Sequence, residues 1–148
     1  MATRKRFFTL LSLGCFIGAF LSTNSSKAHG QFEFQKGDHV CFVGNALGER
    51  MQHQNFFETL VHQSYPAQQL VLRNLCFPGD EPLQRERSQN FGDPDVHLNH
   101  SKASVIFFFF GFNESFAGNQ GIAKFKSDLK RLISETKKKS YDGKSAPR

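Results

Sequence analysis

Residues 40–44 read Val-Cys-Phe-Val-Gly, an unbroken apolar run that ends at a glycine. An apolar run without alternation predicts a strand that is buried on both faces, as in a parallel sheet. A second run follows at residues 70–72, and a third spans Ala103 to Phe110 and ends in four successive phenylalanines. The three runs together predict three strands of one sheet.

Apolar residues at helical spacing lie between and after these runs. The first stripe, Phe56 to Val61, predicts a helix that ends before Pro66. The second stripe, Ile122 to Ile133, predicts an amphipathic helix that follows a turn at residues 118–121. Residues 79–101 are polar, which predicts a long loop or a broken helix.

The order strand, helix, strand, loop, strand, helix predicts an α/β fold with a parallel sheet and right-handed crossovers. Ligands of such sheets bind beyond the carboxyl ends of the strands. The segments that leave those ends are residues 44–50, 74–82 and 111–118. Functional side chains are therefore expected in these three loops.

Length and charge restrict the class of protein. The 148 residues suit one domain, and 39% hydrophobic with 22% charged residues exclude a disordered tail and a protein with several membrane spans. The net charge of +6 is uneven: residues 1–28 hold four basic residues, residues 124–148 nine basic and three acidic, and residues 29–123 six basic and ten acidic. Because the basic charge belongs to the N-terminal leader and the predicted C-terminal helix and not to a binding face across the fold, no nucleic-acid partner is expected.

The first 28 residues have the pattern of a signal peptide. Residues 4–6 are basic, residues 7–21 form an apolar stretch that is short for a membrane span, and residues 26–28 match a small-x-small cleavage signal. The mature chain is expected to begin near His29, in the periplasm or outside the cell, with no stable membrane span. An uncleaved N-terminal anchor is the alternative.

Two cysteines belong to the predicted mature chain. Cys41 and Cys76 lie in or beside predicted strands, and an oxidising compartment permits a disulfide between them. Two buried free thiols are the favoured interpretation, because cysteines at strand centres are among the most buried residues.

The three strand-end loops resemble the sequence blocks of the SGNH (GDSL-type) hydrolase family. Gly-Asn-Ala-Leu at 44–47 stands where the family has Gly-Asp-Ser-Leu, and residues 74–80 are similar to its second block, an Asn followed by a Ser-Gly-Asp turn. Gly-Phe-Asn-Glu at 111–114 is similar to the third block, Gly-x-Asn-Asp. The resemblance covers about residues 36–148 and is strongest to SGNH-type domains of exported planctomycete-like proteins.

The resemblance implies a three-layer α/β/α flavodoxin-like sheet and the hydrolysis of an acyl or carbohydrate ester, with no cofactor and no metal. It assigns Gly79 and Asn113 as oxyanion donors and places Asn45 and Ala46 in the turn that carries the nucleophilic serine. A turn glycine with positive φ explains Gly79 equally well. Ala46 has no hydroxyl, and the family's Asp-x-x-His block is missing, so the catalytic set is incomplete.

Other functions stay open beside the hydrolase-like one. A non-catalytic carbohydrate- or acyl-binding module would keep the oxyanion pocket, and a truncated remnant would not fold alone. The family's sheet has further strands, and residues 142–148 resemble a loop before a fourth strand. The resemblance therefore implies a downstream segment or companion domain that completes the fold and covers the sheet edge.

Charged side chains near the loops have ordinary interpretations as well. Arg73, Arg85 and Arg87 could face an anionic substrate, although solvated or ion-paired arginines are more common. Four histidines lack metal-ligand spacing on a shared face, apart from one loose His-x-x-His pair at 97 and 100, and are expected to be solvated: His53, His62, His97 and His100.

The signal-peptide interpretation predicts cleavage after Ala28. N-terminal sequencing of exported material should begin at or near His29, because the apolar stretch is removed once it has directed export. An intact Met1 terminus on soluble protein in the cytoplasm would contradict this expectation.

Overall fold

A parallel sheet of three strands forms the centre of the computed structural model, which describes residues 32–148. The strands are β1 (His39–Gly44), β2 (Val71–Asn74) and β3 (Val105–Phe109), in the order β2-β1-β3. In register, Val40 stands opposite Leu72 on one side and Val105 on the other. The predicted α/β flavodoxin-like class is confirmed; the predicted signal peptide and its cleavage site lie outside the described residues.

β1 is buried on both faces, as its unbroken apolar run predicts. Val40 and Phe42 belong to one core cluster with Val105, and Cys41 and Val43 belong to the other. Each cluster lies on one face of the sheet because successive side chains of a strand point to opposite sides. The four side chains are at most 4% exposed.

Helices cover both faces of the sheet. They are α1 (Ala46–Met51), α2 (Phe56–Ser64), α3 (Pro94–His100), α4 (Phe112–Ser115) and α5 (Gly118–Thr136), and a single 3₁₀ turn spans Pro66–Gln68. Met51 and Phe57 pack in the cluster of Phe42, whereas Leu98 packs in the cluster of Cys41. None of the helices within residues 32–148 is long and apolar enough to cross a membrane.

The first predicted helix has the expected position but a narrower buried face. α2 ends at Ser64, ahead of Pro66, because the residue before a proline is disfavoured in helical conformation. Phe57 packs toward the sheet and Val61 is buried, whereas Phe56 and Leu60 are 72% and 60% exposed. Half of the predicted stripe therefore faces away from the core.

The turn predicted at residues 118–121 lies earlier, at residues 116–118. Gly118 has a φ of +59° and is also the first residue of α5, so the prediction is wrong for residues 119–121. Gly121 lies inside the helix, where an added Cβ would stand 2.6 Å from Ala117 Cβ. A glycine is therefore required at position 121 by close packing against Ala117, not by a turn.

The polar stretch at residues 79–101 contains both a loop and a short helix. α3 occupies only Pro94–His100. Asp93 caps it by accepting a hydrogen bond from Asp95 N (2.8 Å), and Pro94 stands at the first helical turn, where no N–H is needed. The residues before Asp93 form the long loop that the sequence also allows.

Arg148 joins the outer edge of β3 to the start of β1. Its N–H donates to Ser104 O and its carbonyl accepts from Ile106 N, both at 2.9 Å, which is the pattern of parallel pairing. Its guanidinium binds both oxygens of the buried Asp38 carboxylate, at 2.5 and 2.7 Å. The Asp38 carboxylate also accepts from the hydroxyl of Ser104 (2.9 Å), so one carboxylate holds the amino ends of β1 and β3 together.

Gly44 is expected to tolerate no side chain. A Cβ at this position would stand 2.3 Å from the carbonyl oxygen of Phe109, which is backbone and cannot swing away. Gly44→Ala should lower the free energy of unfolding by about 3 kcal/mol, the upper part of the range for overpacking. Urea unfolding monitored by circular dichroism measures the loss.

Gly143→Ala is the matched control. Gly143 also has a positive φ (+73°), but nothing lies within 4 Å of its added Cβ, so only the backbone strain of about 1 kcal/mol remains. Equal losses in the two variants would contradict the role of the Phe109 carbonyl.

Candidate functional site

The loop after β1 begins with a buried asparagine. Asn45 is 1% exposed and its backbone N–H donates to Phe109 O (2.9 Å), which fixes the loop against β3. Its side-chain Nδ2 is buried and has no hydrogen-bond partner among residues 32–148. Ala46, at the position that corresponds to the nucleophile in the SGNH resemblance, is the first residue of α1.

The loop after β2 is hydrogen-bonded to the first loop. The Asn74 side chain donates from Nδ2 to Gly48 O (2.7 Å) and accepts at Oδ1 from Cys76 N (3.0 Å). Phe77 N donates to Gly44 O (2.9 Å). These bonds bring the first two sequence blocks together at the carboxyl edge of the sheet.

Gly79 has the conformation that a turn requires. Its φ is +91°, a region that favours glycine, and its added Cβ would meet nothing within 4 Å. It lines a cavity of about 400 Å³ with Phe77, Pro78 and Glu81. The side-chain position of Gly79 therefore faces open space.

Asn113 stands on α4, directly after β3. It is half-buried and lines a separate cavity of about 210 Å³ with Glu81, Glu114 and Phe125. The neighbouring Glu114 uses Oε2 to cap Gly111 N, while its Oε1 is buried without a hydrogen-bond partner among the described residues. The Ser115 hydroxyl donates a hydrogen bond to Phe112 O (2.6 Å).

The structure brings the predicted site residues together only in part. Asn45 is bound to the end of β3, and its loop is bound to the loop after β2. Gly79 and Asn113 line two cavities, and Glu81 lines both of them. Within residues 32–148, the hydrogen bonds that connect the loops after β1, β2 and β3 are those of Asn45, Asn74 and Phe77.

Histidines form no metal centre in the part of the chain that the structure describes. Within residues 32–148, no group of three His, Cys, Asp or Glu side chains is placed to hold a metal ion. His53 Nε2 contacts Glu49 (3.0 Å), His97 Nε2 contacts Phe91 O (3.0 Å), and His39 Nδ1 contacts Ser101 O (2.7 Å). Each of these rings has an ordinary structural partner.

A further cavity lies beneath the loop after β2 and contains two of the three arginines that the sequence offers for an anionic substrate, Arg85 and Arg87. It has a volume of about 170 Å³, and its lining includes Phe77, Asp80, Arg85 and Arg87. Asp80 is 2% exposed and receives two hydrogen bonds from Arg87, at 2.5 and 2.6 Å. The sequence places these two arginines shortly after the second block, but it does not show that Arg87 pairs with Asp80.

Cys41 and Cys76 are buried free thiols that belong to opposite faces of the sheet. Desolvation by burial is the main cause that raises the pKa of Cys41 to about 11 and that of Cys76 to about 12. For Cys76 the negative charge of Asp80 raises the pKa further. Both sulfurs are therefore thiols at neutral pH, and neither is poised as a nucleophile.

Comparison of the chain with known protein families, characterised proteins and solved structures gives no match. The fold defines an α/β protein in which the loops that follow the parallel strands lie together at the carboxyl ends of those strands.

The raised thiol pKa values predict slow alkylation of the folded protein. At pH 8 about one Cys41 in a thousand is ionised, so iodoacetamide should label Cys41 and Cys76 only when the protein unfolds. Their contribution to stability should be complete below about pH 8.5 and should fall as pH rises toward 11, because the unfolded state loses these protons first.

Peptide mass spectrometry after timed labelling separates these two cysteines from Cys15, the third in the chain. Labelling of Cys41 or Cys76 at the rate of the urea-unfolded chain under native conditions would contradict the burial argument.

Proposed function

We propose that residues 36–148 form an SGNH-type hydrolase-like domain that binds acyl or carbohydrate esters but, as this chain stands, does not hydrolyse them. The observation that supports the proposal is the assembly of the first two sequence blocks at one edge of the sheet, next to the end of β3. Asn74 Nδ2 to Gly48 O and Phe77 N to Gly44 O connect those blocks, and Asn45 N to Phe109 O anchors the first one on β3.

Donor groups for an ester carbonyl remain at this edge. The amide of Asn45 has a buried N–H group without a partner in residues 32–148, and such a group gains free energy from any acceptor that reaches it. Gly79 lines one cavity and has open space at its Cβ position, and Asn113 lines a second cavity. The resemblance assigns Gly79 and Asn113 as the donors that point at the ester oxygen.

The reactive groups of a serine esterase are missing from this arrangement. Ala46 carries a methyl group where a serine hydroxyl would attack the carbonyl carbon. The sequence holds no Asp-x-x-His block. His39 and His53 are equally near to Ala46 along the chain, and their rings contact Ser101 O and Glu49. Loss of nucleophile and base removes nearly all triad catalysis, so only binding remains.

A non-catalytic acyl- or carbohydrate-binding module is the second candidate. Gly79 and Asn113 in the second and third loops favour it, because binding requires donors but no nucleophile. Under either function we propose export to the periplasm or the cell exterior, and a downstream segment or companion domain as a partner. The motifs of residues 1–28 and the edge of β3 support these two proposals.

The proposal predicts ester binding without turnover. Titration of ¹⁵N-labelled protein with ethyl butyrate should shift the Gly79 amide and the side-chain amide of Asn113, and Asn113→Ala should weaken binding about threefold, the effect of one neutral hydrogen bond. The same protein should release no p-nitrophenol from p-nitrophenyl butyrate above the buffer rate, and a fluorophosphonate probe should label no serine.

Two variants serve as controls. Asn99→Ala changes an exposed asparagine of α3 and should leave the titration unchanged. Ser115→Ala removes the serine beside Glu114. It should change neither the ester titration nor the p-nitrophenol release, since the Ser115 hydroxyl is engaged in a hydrogen bond to Phe112 O. Stoichiometric labelling of any serine would overturn the inactive assignment, and an absence of shifts at both amides would overturn the binding site.

A further inference from the structure

The 170 Å³ cavity beneath the loop after β2 combines apolar walls with arginine. Its lining includes Phe77, Phe91 and Leu98 beside Arg85 and Arg87. Pockets for drug-sized ligands occupy about 300–1,000 Å³, so this cavity suits a smaller molecule. Apolar walls with one or two charged groups are typical of sites for small organic ions.

Arg87 is already paired inside this cavity. Its guanidinium binds both carboxylate oxygens of Asp80, at 2.5 and 2.6 Å, and lies 4.3 Å from the ring centroid of Phe77. A bidentate pair of this kind uses both acceptors of the carboxylate. Asp80 is the only acidic side chain among the residues that line the cavity, and Arg87 neutralises it.

Arg85 lacks a comparable partner. Its Nη2 makes one long hydrogen bond to Pro82 O (3.4 Å), and its guanidinium lies 5.6 Å from the ring centroid of Phe110. Its Nε is buried and has no acceptor among residues 32–148. A buried N–H without an acceptor is destabilising, and an anion removes that penalty with a charge-assisted bond.

The surroundings of Arg85 favour an anion on one side only. Arg85 separates this cavity from another of about 260 Å³ beside α5, which is lined by three acidic side chains: Asp93, Asp95 and Glu135. Those acids repel an anion, although Asp95 is itself bound to Lys139 and to the Tyr141 hydroxyl. The anion therefore belongs in the 170 Å³ cavity, where no unpaired acid lines the wall.

We propose that this cavity binds a small organic carboxylate, with the carboxylate on the Arg85 guanidinium and the apolar part between Phe91 and Leu98. Arg87 stays bound to Asp80 and forms part of the cavity wall. The site is separate from the ester-binding edge and does not rest on the SGNH-type function, so either assignment can fail without the other.

Benzoate titrated into the ¹⁵N-labelled full chain tests the site. It should bind saturably and shift the Nε–H signal of Arg85, which is assigned by its disappearance in Arg85→Gln. Arg85→Gln should weaken benzoate binding at least about tenfold, or ~1.4 kcal/mol. Arg73→Gln, which changes an exposed arginine of β2, should leave the affinity unchanged.

Three further measurements keep the proposal open to refutation. Phe91→Ala should weaken benzoate binding, since Phe91 is 48% exposed and its loss leaves the core intact. Benzamide, the neutral analogue, should bind at least about tenfold more weakly than benzoate. Inorganic phosphate should bind more weakly than benzoate, because it gains nothing from the apolar walls.

Equal binding of benzamide and benzoate, unchanged benzoate affinity in Arg85→Gln, or tighter binding of phosphate would each overturn the proposal. If Arg85→Gln does not fold, the Arg85 Nε–H shift in the unaltered protein decides the matter, and a signal that does not respond to benzoate refutes the site.

Discussion

The pairing of β1 on both of its edges is the constraint on which the rest of the structure depends. Val40, Cys41 and Phe42 are at most 1% exposed, so water cannot reach the backbone of this strand. Its N–H and C=O groups must therefore find partners within the protein, and β2 and β3 supply them. Because all three strands are parallel, this pairing places the loops that follow β1, β2 and β3 at the same end of the sheet, the carboxyl edge.

That edge is crowded at two glycines, and the crowding positions the candidate ester-binding loops. Gly44 lies against the carbonyl of Phe109, and an added Cβ at Gly48 would stand 2.4 Å from the sulfur of Cys76. The close approach lets Asn74 reach Gly48 O and holds Asn45 beside β3. In the same loops the Asn45 amide and one oxygen of Glu114 are buried without partners among the described residues, whereas most buried polar groups are hydrogen-bonded.

The two arginines beneath the loop after β2 show how similar residues acquire different roles. Arg87 is fixed by a buried carboxylate and two phenylalanine rings. Arg85 lies between two cavities, where burial is the main cause that lowers the pKa of its guanidinium, although an arginine remains charged at any physiological pH. Arg85, which is charged and has a buried N–H without an acceptor, is suited to bind a ligand. Arg87, which Asp80 neutralises, is suited to form the wall of the cavity.

The sequence by itself determined the three strands, their parallel arrangement and the end of α2 before Pro66, because unbroken apolar runs and proline act locally. It did not predict α1 and α4, which are too short for a helical period to appear, nor the helical position of Gly121, whose glycine is explained by Ala117 across one turn. Only the tertiary structure decided which arginine meets Asp80 and which stays unpaired, since burial and partners depend on residues brought together by the sheet.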